Sequence, residues 1–121
     1  MSDKKLLIIH QGALGDVVLT FPAFIRLKNG FDAIDVVCEE QLGRVTRELG
    51  LANRWFPLEA RVFASLYSDR VDPKIKHVLN AYHTIIIFSF STILEQAIHA
   101  NAAGKVHRIP PRHPPSKHFM H

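Results

Sequence analysis

The sequence lacks the residues and segments on which several classes of protein depend. Its 121 residues include a single cysteine, Cys38, which excludes an internal disulfide and a metal site built on cysteine pairs. No apolar run approaches the roughly 18 residues that span a bilayer. The first apolar run, 6–9, is too short for the core of a signal peptide. We therefore expect a protein of the reducing cytoplasm without a membrane span.

Acidic residues are scarce in the second half of the chain. Residues 1–60 carry seven Lys/Arg and eight Asp/Glu, whereas residues 61–121 carry eight Lys/Arg and three Asp/Glu, so the net charges are −1 and +5. An excess of positive charge favours acidic partners, such as phosphorylated substrates or an anionic lipid surface, and it is also typical of a solvated basic surface. No nucleic-acid-binding motif accompanies the charge, so we expect no nucleic acid partner.

Short apolar runs alternate with segments of helical periodicity as far as residue 109. A continuous apolar run such as 6–9 or 84–88 is typical of a strand that is buried on both faces. Regular alternation of strands and helices predicts a parallel sheet with right-handed crossovers. We therefore predict an α/β fold, a Rossmann-like parallel sheet of about five strands with helices on both faces. The predicted strands are 6–9, 34–38, 54–58, 84–88 and 105–109, and the predicted helices are 16–29, 39–49, 62–66, 75–81 and 93–103.

Two local patterns bear on where these elements end. Ser91 or Thr92 is placed to cap the last helix, and Glu95 lies at capping-box spacing from Thr92. Four of the seven prolines lie within 110–121, and they exclude a helix or a central strand there. We therefore predict one domain over 1–109, followed at 110–121 by a proline- and histidine-rich tail or the start of an interdomain linker. Prolines between the histidines argue against a zinc site, so no metal site is predicted.

The loop after the first predicted strand contains two glycines three residues apart. Such glycines let the backbone turn sharply and approach a ligand closely, and ligands of parallel α/β sheets bind beyond the carboxyl ends of the strands. Asp16 opens the next predicted helix, where its carboxylate serves as an N-cap, as a functional group, or as both. No lysine follows Gly15, which excludes a P-loop, and the glycine spacing does not fit the dinucleotide fingerprint. The loop reads His10-Gln11-Gly12-Ala13-Leu14-Gly15-Asp16.

Segment 6–23 resembles the opening of glycosyltransferase family 9, the ADP-heptose:lipopolysaccharide heptosyltransferases and their relatives. The family pattern is an apolar strand, then G-x-L-G-D, then an apolar helix start with T-x-P-A, and all three occur here in order. Stretches 34–38, 85–91 and 106–112 also resemble the family, so the resemblance covers essentially the whole chain before the tail. Many members carry Arg where this chain has His10, which indicates a subgroup, a different acceptor, or a histidine that merely ends the strand and bonds locally.

The resemblance implies the N-terminal, acceptor-binding half of an enzyme with two Rossmann-like domains, the GT-B fold. It implies that Asp16 is the general base, which deprotonates the acceptor hydroxyl during inverting, metal-independent transfer of a heptose or hexose. The nucleotide-sugar donor is a co-substrate that binds the C-terminal domain, so no cofactor is implied and no transfer is expected from this chain alone. The residues implied to bind the acceptor are His10, Gln11, Gly12, Ala13, Leu14 and Gly15.

The partners implied are a glycolipid or oligosaccharide acceptor of the lipopolysaccharide-core type and the missing donor domain. The basic residues Lys105, Arg108, Arg112 and Lys117 favour a peripheral contact at the cytoplasmic face of the inner membrane. A face that normally meets the donor domain favours self-association. The alternative is a stand-alone, non-catalytic Rossmann-like module that binds a nucleotide or a glycan.

Overall fold

The sheet is parallel throughout and confirms the predicted fold class. The computed structural model describes residues 4–11, 22, 25–67, 70–89 and 91–109. Within them, five strands form one sheet in the order β3-β2-β1-β4-β5, and every neighbouring pair runs parallel. The chain is therefore an α/β protein with a Rossmann-like arrangement. The strands are β1 (Lys5–His10), β2 (Ala33–Cys38), β3 (Arg54–Pro57), β4 (Thr84–Phe88) and β5 (Lys105–Ile109).

Helices connect the strands, as the periodicity predicts. Residues 25–28 are helical and end in a turn, where the amide of Gly30 donates to the carbonyl of Leu27 at 3.0 Å. This confirms the end of the predicted helix 16–29, whose residues 16–21, 23 and 24 lie outside the described residues. No helix in the described ranges is long and apolar enough to cross a bilayer. The later helices are α1 (Glu40–Glu48), α2 (Arg61–Ala64), which a 3-10 turn (Ser65–Tyr67) extends, α3 (Lys74–Leu79) and α4 (Thr92–Asn101).

Alternate side chains of the central strands enter two separate hydrophobic cores. Leu6 and Ile8 of β1 pack in the core beneath α1, whereas Leu7 and Ile9 pack in the core beneath α2, α3 and α4. Because both faces of β1 and β4 are covered, both strands are apolar along almost their whole length. The outer strand β5 has the alternating burial of a strand that is packed on one face only.

The ends of the helices depend on contacts that differ in part from the predicted ones. α1 ends in a Schellman motif, in which the amides of Gly50 and Leu51 donate to the carbonyls of Arg47 and Thr46 at 3.0 and 2.9 Å. Gly50 takes a φ of 73°, which favours glycine. The predicted stop after residue 49 is confirmed.

The predicted capping box of the last helix is wrong. Ser91, rather than Thr92, is the N-cap of α4, and its hydroxyl accepts from the amide of Leu94 at 3.1 Å. Glu95 instead forms an ion pair with Arg108 of β5 at 2.8 Å. α4 also ends two residues before the predicted end at 103, because the backbone turns extended at Ala102 and the side chain of Asn80 binds the next amide.

Candidate functional site

The order of the strands reverses between β1 and β4. From β1 the chain continues to β2 and β3 on one side of the sheet, and it then crosses to β4 and β5 on the other side. The connections that follow β1 and β4 therefore leave in opposite directions, and ligands of open α/β sheets bind at such a switch point, beyond the carboxyl ends of the strands. His10 and Phe88 are register partners at these ends. Gln11 and Ser89 are the next residues along the chain.

Gln11, the residue directly before Gly12, is held to the end of β4 by two hydrogen bonds. Its backbone amide donates to the carbonyl of Phe88 at 3.1 Å. Its side-chain Oε1 accepts from the hydroxyl of Ser89 at 2.5 Å. Gln11 is exposed, and within the described part of the chain its side-chain NH2 group donates no hydrogen bond. The carboxamide therefore lies at the switch point with its oxygen bound and two N–H donors to offer.

Ser89 lies at the centre of the contacts around this point. It is only 1% exposed, and its hydroxyl oxygen accepts from the amide of Ser91 at 2.9 Å while donating to Gln11. Its carbonyl accepts from Nη1 of Arg108 at 3.2 Å. One buried serine thus joins the end of β1, the start of α4 and the outer strand β5.

Arg108 is committed to contacts within the protein. Its Nε donates to Oε1 of Glu95 at 2.8 Å, and the two side chains are 25% and 28% exposed. Together with the bond to Ser89, this ion pair holds β5 against α4. Arg108 is one of the four basic residues for which the sequence predicts a membrane contact, and its side chain is instead bound to Glu95 and Ser89. Lys105, another of the four, is exposed.

His10 lies deeper than Gln11. It is 2% exposed, and its ring stacks on the ring of Phe88 with 5.7 Å between centroids and 28° between planes. The side chain thus packs on the same face of the sheet as Leu6 and Ile8 of β1. Packing in the core is thus sufficient to explain a histidine at the end of the strand, with no ligand required. The predicted contact between His10 and an acceptor stays a prediction.

The remaining residues predicted for the site cannot be placed beside these contacts. Gly12, Ala13, Leu14, Gly15 and Asp16 all lie outside the described residues, so their roles stay predictions. The structure brings together Gln11 from the predicted set and Ser89, which sequence reasoning missed. A signal for Ser89 existed, since it directly follows the predicted strand 84–88 and so lies at a carboxyl end.

A second group of polar residues follows β2 and β3 at the same edge of the sheet. Glu39 and Glu59 line an open cavity of about 340 Å³ together with Leu58 and Ala64. Both carboxylates act on the thiol of Cys38, whose pKa is raised to about 12 by burial first and then by Glu39 and Glu59. Cys38 therefore stays protonated well above neutral pH, and its thiol serves as a packing group rather than a nucleophile.

Neither metal ligands nor relatives identify the site. Among the residues described, no group of three or more His, Cys, Asp and Glu side chains is arranged to hold a metal ion. Comparison of the chain with protein-family models, curated proteins and solved structures finds no match. The assignment of function therefore depends on the loop sequence and on the position of Gln11.

Proposed function

We propose that this chain is the acceptor-side, N-terminal half of a family 9 glycosyltransferase. The enzyme would transfer a heptose or hexose from a nucleotide sugar to a lipopolysaccharide-core-like acceptor at the cytoplasmic face of the inner membrane. One juxtaposition supports the proposal. The G-x-L-G-D segment, residues 12–16, follows directly on Gln11, and Gln11 is fixed at the carboxyl end of β1 where the strand order reverses.

The length of chain between Gln11 and Asp16 suits the proposed role. Five residues span at most about 17 Å when fully extended, so Asp16 stays within the reach of a short oligosaccharide bound at the switch point. An oligosaccharide acceptor presents many hydroxyl groups, which need both donors and acceptors on the protein. The carboxamide of Gln11 supplies donors, and Asp16 supplies an acceptor.

In the proposed reaction, Asp16 accepts the proton of one acceptor hydroxyl. The hydroxyl oxygen attacks the anomeric carbon of the nucleotide sugar from the face opposite the leaving group, and the bond from that carbon to the diphosphate oxygen breaks. The nucleoside diphosphate leaves with the electron pair, and a single displacement inverts the anomeric configuration. Proton transfer to a positioned base contributes on the order of 10²–10⁴-fold to such a step.

Binding by the chain itself gives the first test of the proposal. We would titrate the ¹⁵N-labelled chain with deacylated lipopolysaccharide inner-core oligosaccharide and, separately, with ADP, and follow the backbone amide signals. The oligosaccharide is expected to shift the signals of Gln11 and of residues 12–16, whereas ADP is expected to shift none, because the donor binds elsewhere in the proposal. Shifts with ADP alone would contradict it and favour the nucleotide-binding module.

Transfer gives the second arm of the same test and separates an enzyme from a glycan-binding module. The chain would be mixed with a separately produced donor-binding domain of the family, ADP-heptose and the oligosaccharide, and the product detected by mass spectrometry as the addition of one heptose. Asp16→Asn is expected to lower the rate by about 100-fold or more while the oligosaccharide still binds. Equal rates for both chains would rule out Asp16 as the base.

A further inference from the structure

We infer that Ser89 is a positioning residue, which orients the carboxamide of Gln11 so that its NH2 group donates a hydrogen bond to a hydroxyl oxygen of the acceptor sugar. The identity of the ligand rests on the proposed function. The positioning rests on the geometry of the free protein alone.

The direction of the hydrogen bonds at Ser89 decides which way the carboxamide points. A serine hydroxyl has one proton to donate and two lone pairs to accept with. Its oxygen already accepts from the amide of Ser91 at 2.9 Å, and its proton goes to Oε1 of Gln11 at 2.5 Å. Since the carboxamide is planar, binding its oxygen to a buried hydroxyl turns its NH2 group away from Ser89. Ser89 therefore binds the oxygen alone and leaves both N–H donors of the exposed Gln11 for a ligand.

Ser89 acts through Gln11 and does not reach a ligand itself. It is 1% exposed, and its carbonyl is bound by Arg108, which the ion pair with Glu95 holds in turn. The backbone of Gln11 is also tied to β4 through Phe88. The rotation of the Gln11 side chain is thus limited at both ends, so less conformational freedom is lost when a ligand binds.

The donors of Gln11 match the chemistry of a sugar hydroxyl. They are uncharged, and within the described residues they have no protein partner. A neutral donor loses less hydration on binding a hydroxyl than a lysine or arginine would. Gln11→Glu retains an oxygen for Ser89 and removes both donors, whereas Ser89→Ala removes the bond that orients them together with the acceptor of the Ser91 amide.

The free protein tests the positioning. In wild-type chain we expect the two side-chain amide protons of Gln11 to give NMR signals displaced from those of a glutamine in an unfolded chain, and in Ser89→Ala we expect both signals to move to the unfolded-chain positions. The matched control is Ser91→Ala, which removes the cap on Leu94 but keeps the backbone amide that binds Ser89. Signals that keep their wild-type positions in Ser89→Ala, or that move equally in Ser91→Ala, would overturn the inference.

The ligand contact is tested with deacylated inner-core oligosaccharide as the probe. We expect Gln11→Glu to raise its Kd by about tenfold, Ser89→Ala by about threefold to tenfold, and Ser91→Ala by less than about twofold. Wild-type affinity in Gln11→Glu would overturn the inference and leave the proposed function standing. A wild-type chain that does not bind the probe would overturn the proposed function together with the contact, whereas the signals of the free protein still decide the positioning.

Discussion

Burial determines the chemistry of the one cysteine. Cys38 ends β2 and is fully buried in the core beneath α1, and its pKa is raised from 9.0 to about 12, chiefly by that burial. At pH 8 we therefore expect a thiol reagent such as Ellman's reagent to react with Cys38 only when the chain unfolds. Equal rates of modification in buffer and in 6–8 M urea (roughly the range that unfolds small domains) would contradict this.

The raised pKa of Cys38 also affects the stability of the fold at high pH. When folding raises the pKa of a group, its contribution to the free energy of unfolding is fully present below the pKa of the unfolded chain. That contribution is lost as the pH rises through the pKa of the folded chain. For Cys38 the loss falls between about pH 9 and pH 12. Cys38→Ala removes this part of the pH dependence, and urea unfolding of both chains at pH 8 and pH 10.5 measures it.

Sequence reasoning at the residue scale finds Gln11 but misses its partner. The loop 10–16 is recognisable because its glycines and Asp16 are close together in the chain. The hydrogen bond between Gln11 and Ser89 joins residues 78 positions apart, and no local pattern encodes a contact of that length. A rule about where strands end is enough to select Ser89, but only the pairing of β1 with β4 shows which residue it contacts.

At the scale of elements, α1 packs on β3 through a glycine. A Cβ added at Gly43 would meet the ring of Trp55 closer than real contacts allow. We expect Gly43→Ala to lower the free energy of unfolding by about 1–3 kcal/mol, because the ring must shift to admit the methyl group. Urea unfolding measures the loss.

Trp55→Ala provides the matched background for that prediction. Once the ring is gone, Gly43→Ala meets no obstacle and gains the helix propensity of alanine, worth up to about 1 kcal/mol. The sign of the effect should therefore reverse between the two backgrounds. The same destabilisation in both would show that the ring is not its cause.

The elements themselves were largely predictable, whereas their ends were less so. The predicted strands 34–38 and 84–88 match β2 and β4 closely, because largely apolar runs between polar turns are a local signal. The predicted strand 105–109 also matches β5. Ser91, one of the two predicted caps of α4, is confirmed, whereas the capping box of Thr92 with Glu95 is wrong, because Glu95 pairs with Arg108 on a different element. Tertiary pairing of a charged side chain here outweighs a local cap.

At the scale of the molecule, one buried carboxylate links the two halves of the sheet. Asp35 of β2 is 3% exposed, and its Oδ2 accepts from the hydroxyl of Tyr82 at 2.7 Å and from Nη2 of Arg54 at 3.0 Å. Tyr82 precedes β4, and so this contact ties the segment that crosses the sheet to β2 and β3. The sequence offers no sign of it, because an aspartate within an apolar strand is a weak strand former on its own.

Removing the hydrogen bond between Tyr82 and Asp35 is expected to lower the stability of the fold and to change how that stability depends on pH. The pKa of Tyr82 is raised by burial and then by its hydrogen bond to Asp35, so its contribution is intact below about pH 10 and is lost as the pH rises further. Tyr82→Phe should lower the free energy of unfolding by about 1–3 kcal/mol at pH 8, because one bond to a buried carboxylate is lost. Tyr82→Phe should also reduce the decline in the free energy of unfolding above pH 10.

Urea unfolding of both chains in a Cys38→Ala background, from pH 8 to pH 11, isolates the contribution of the tyrosine. An unchanged decline in Tyr82→Phe would show that another group causes it.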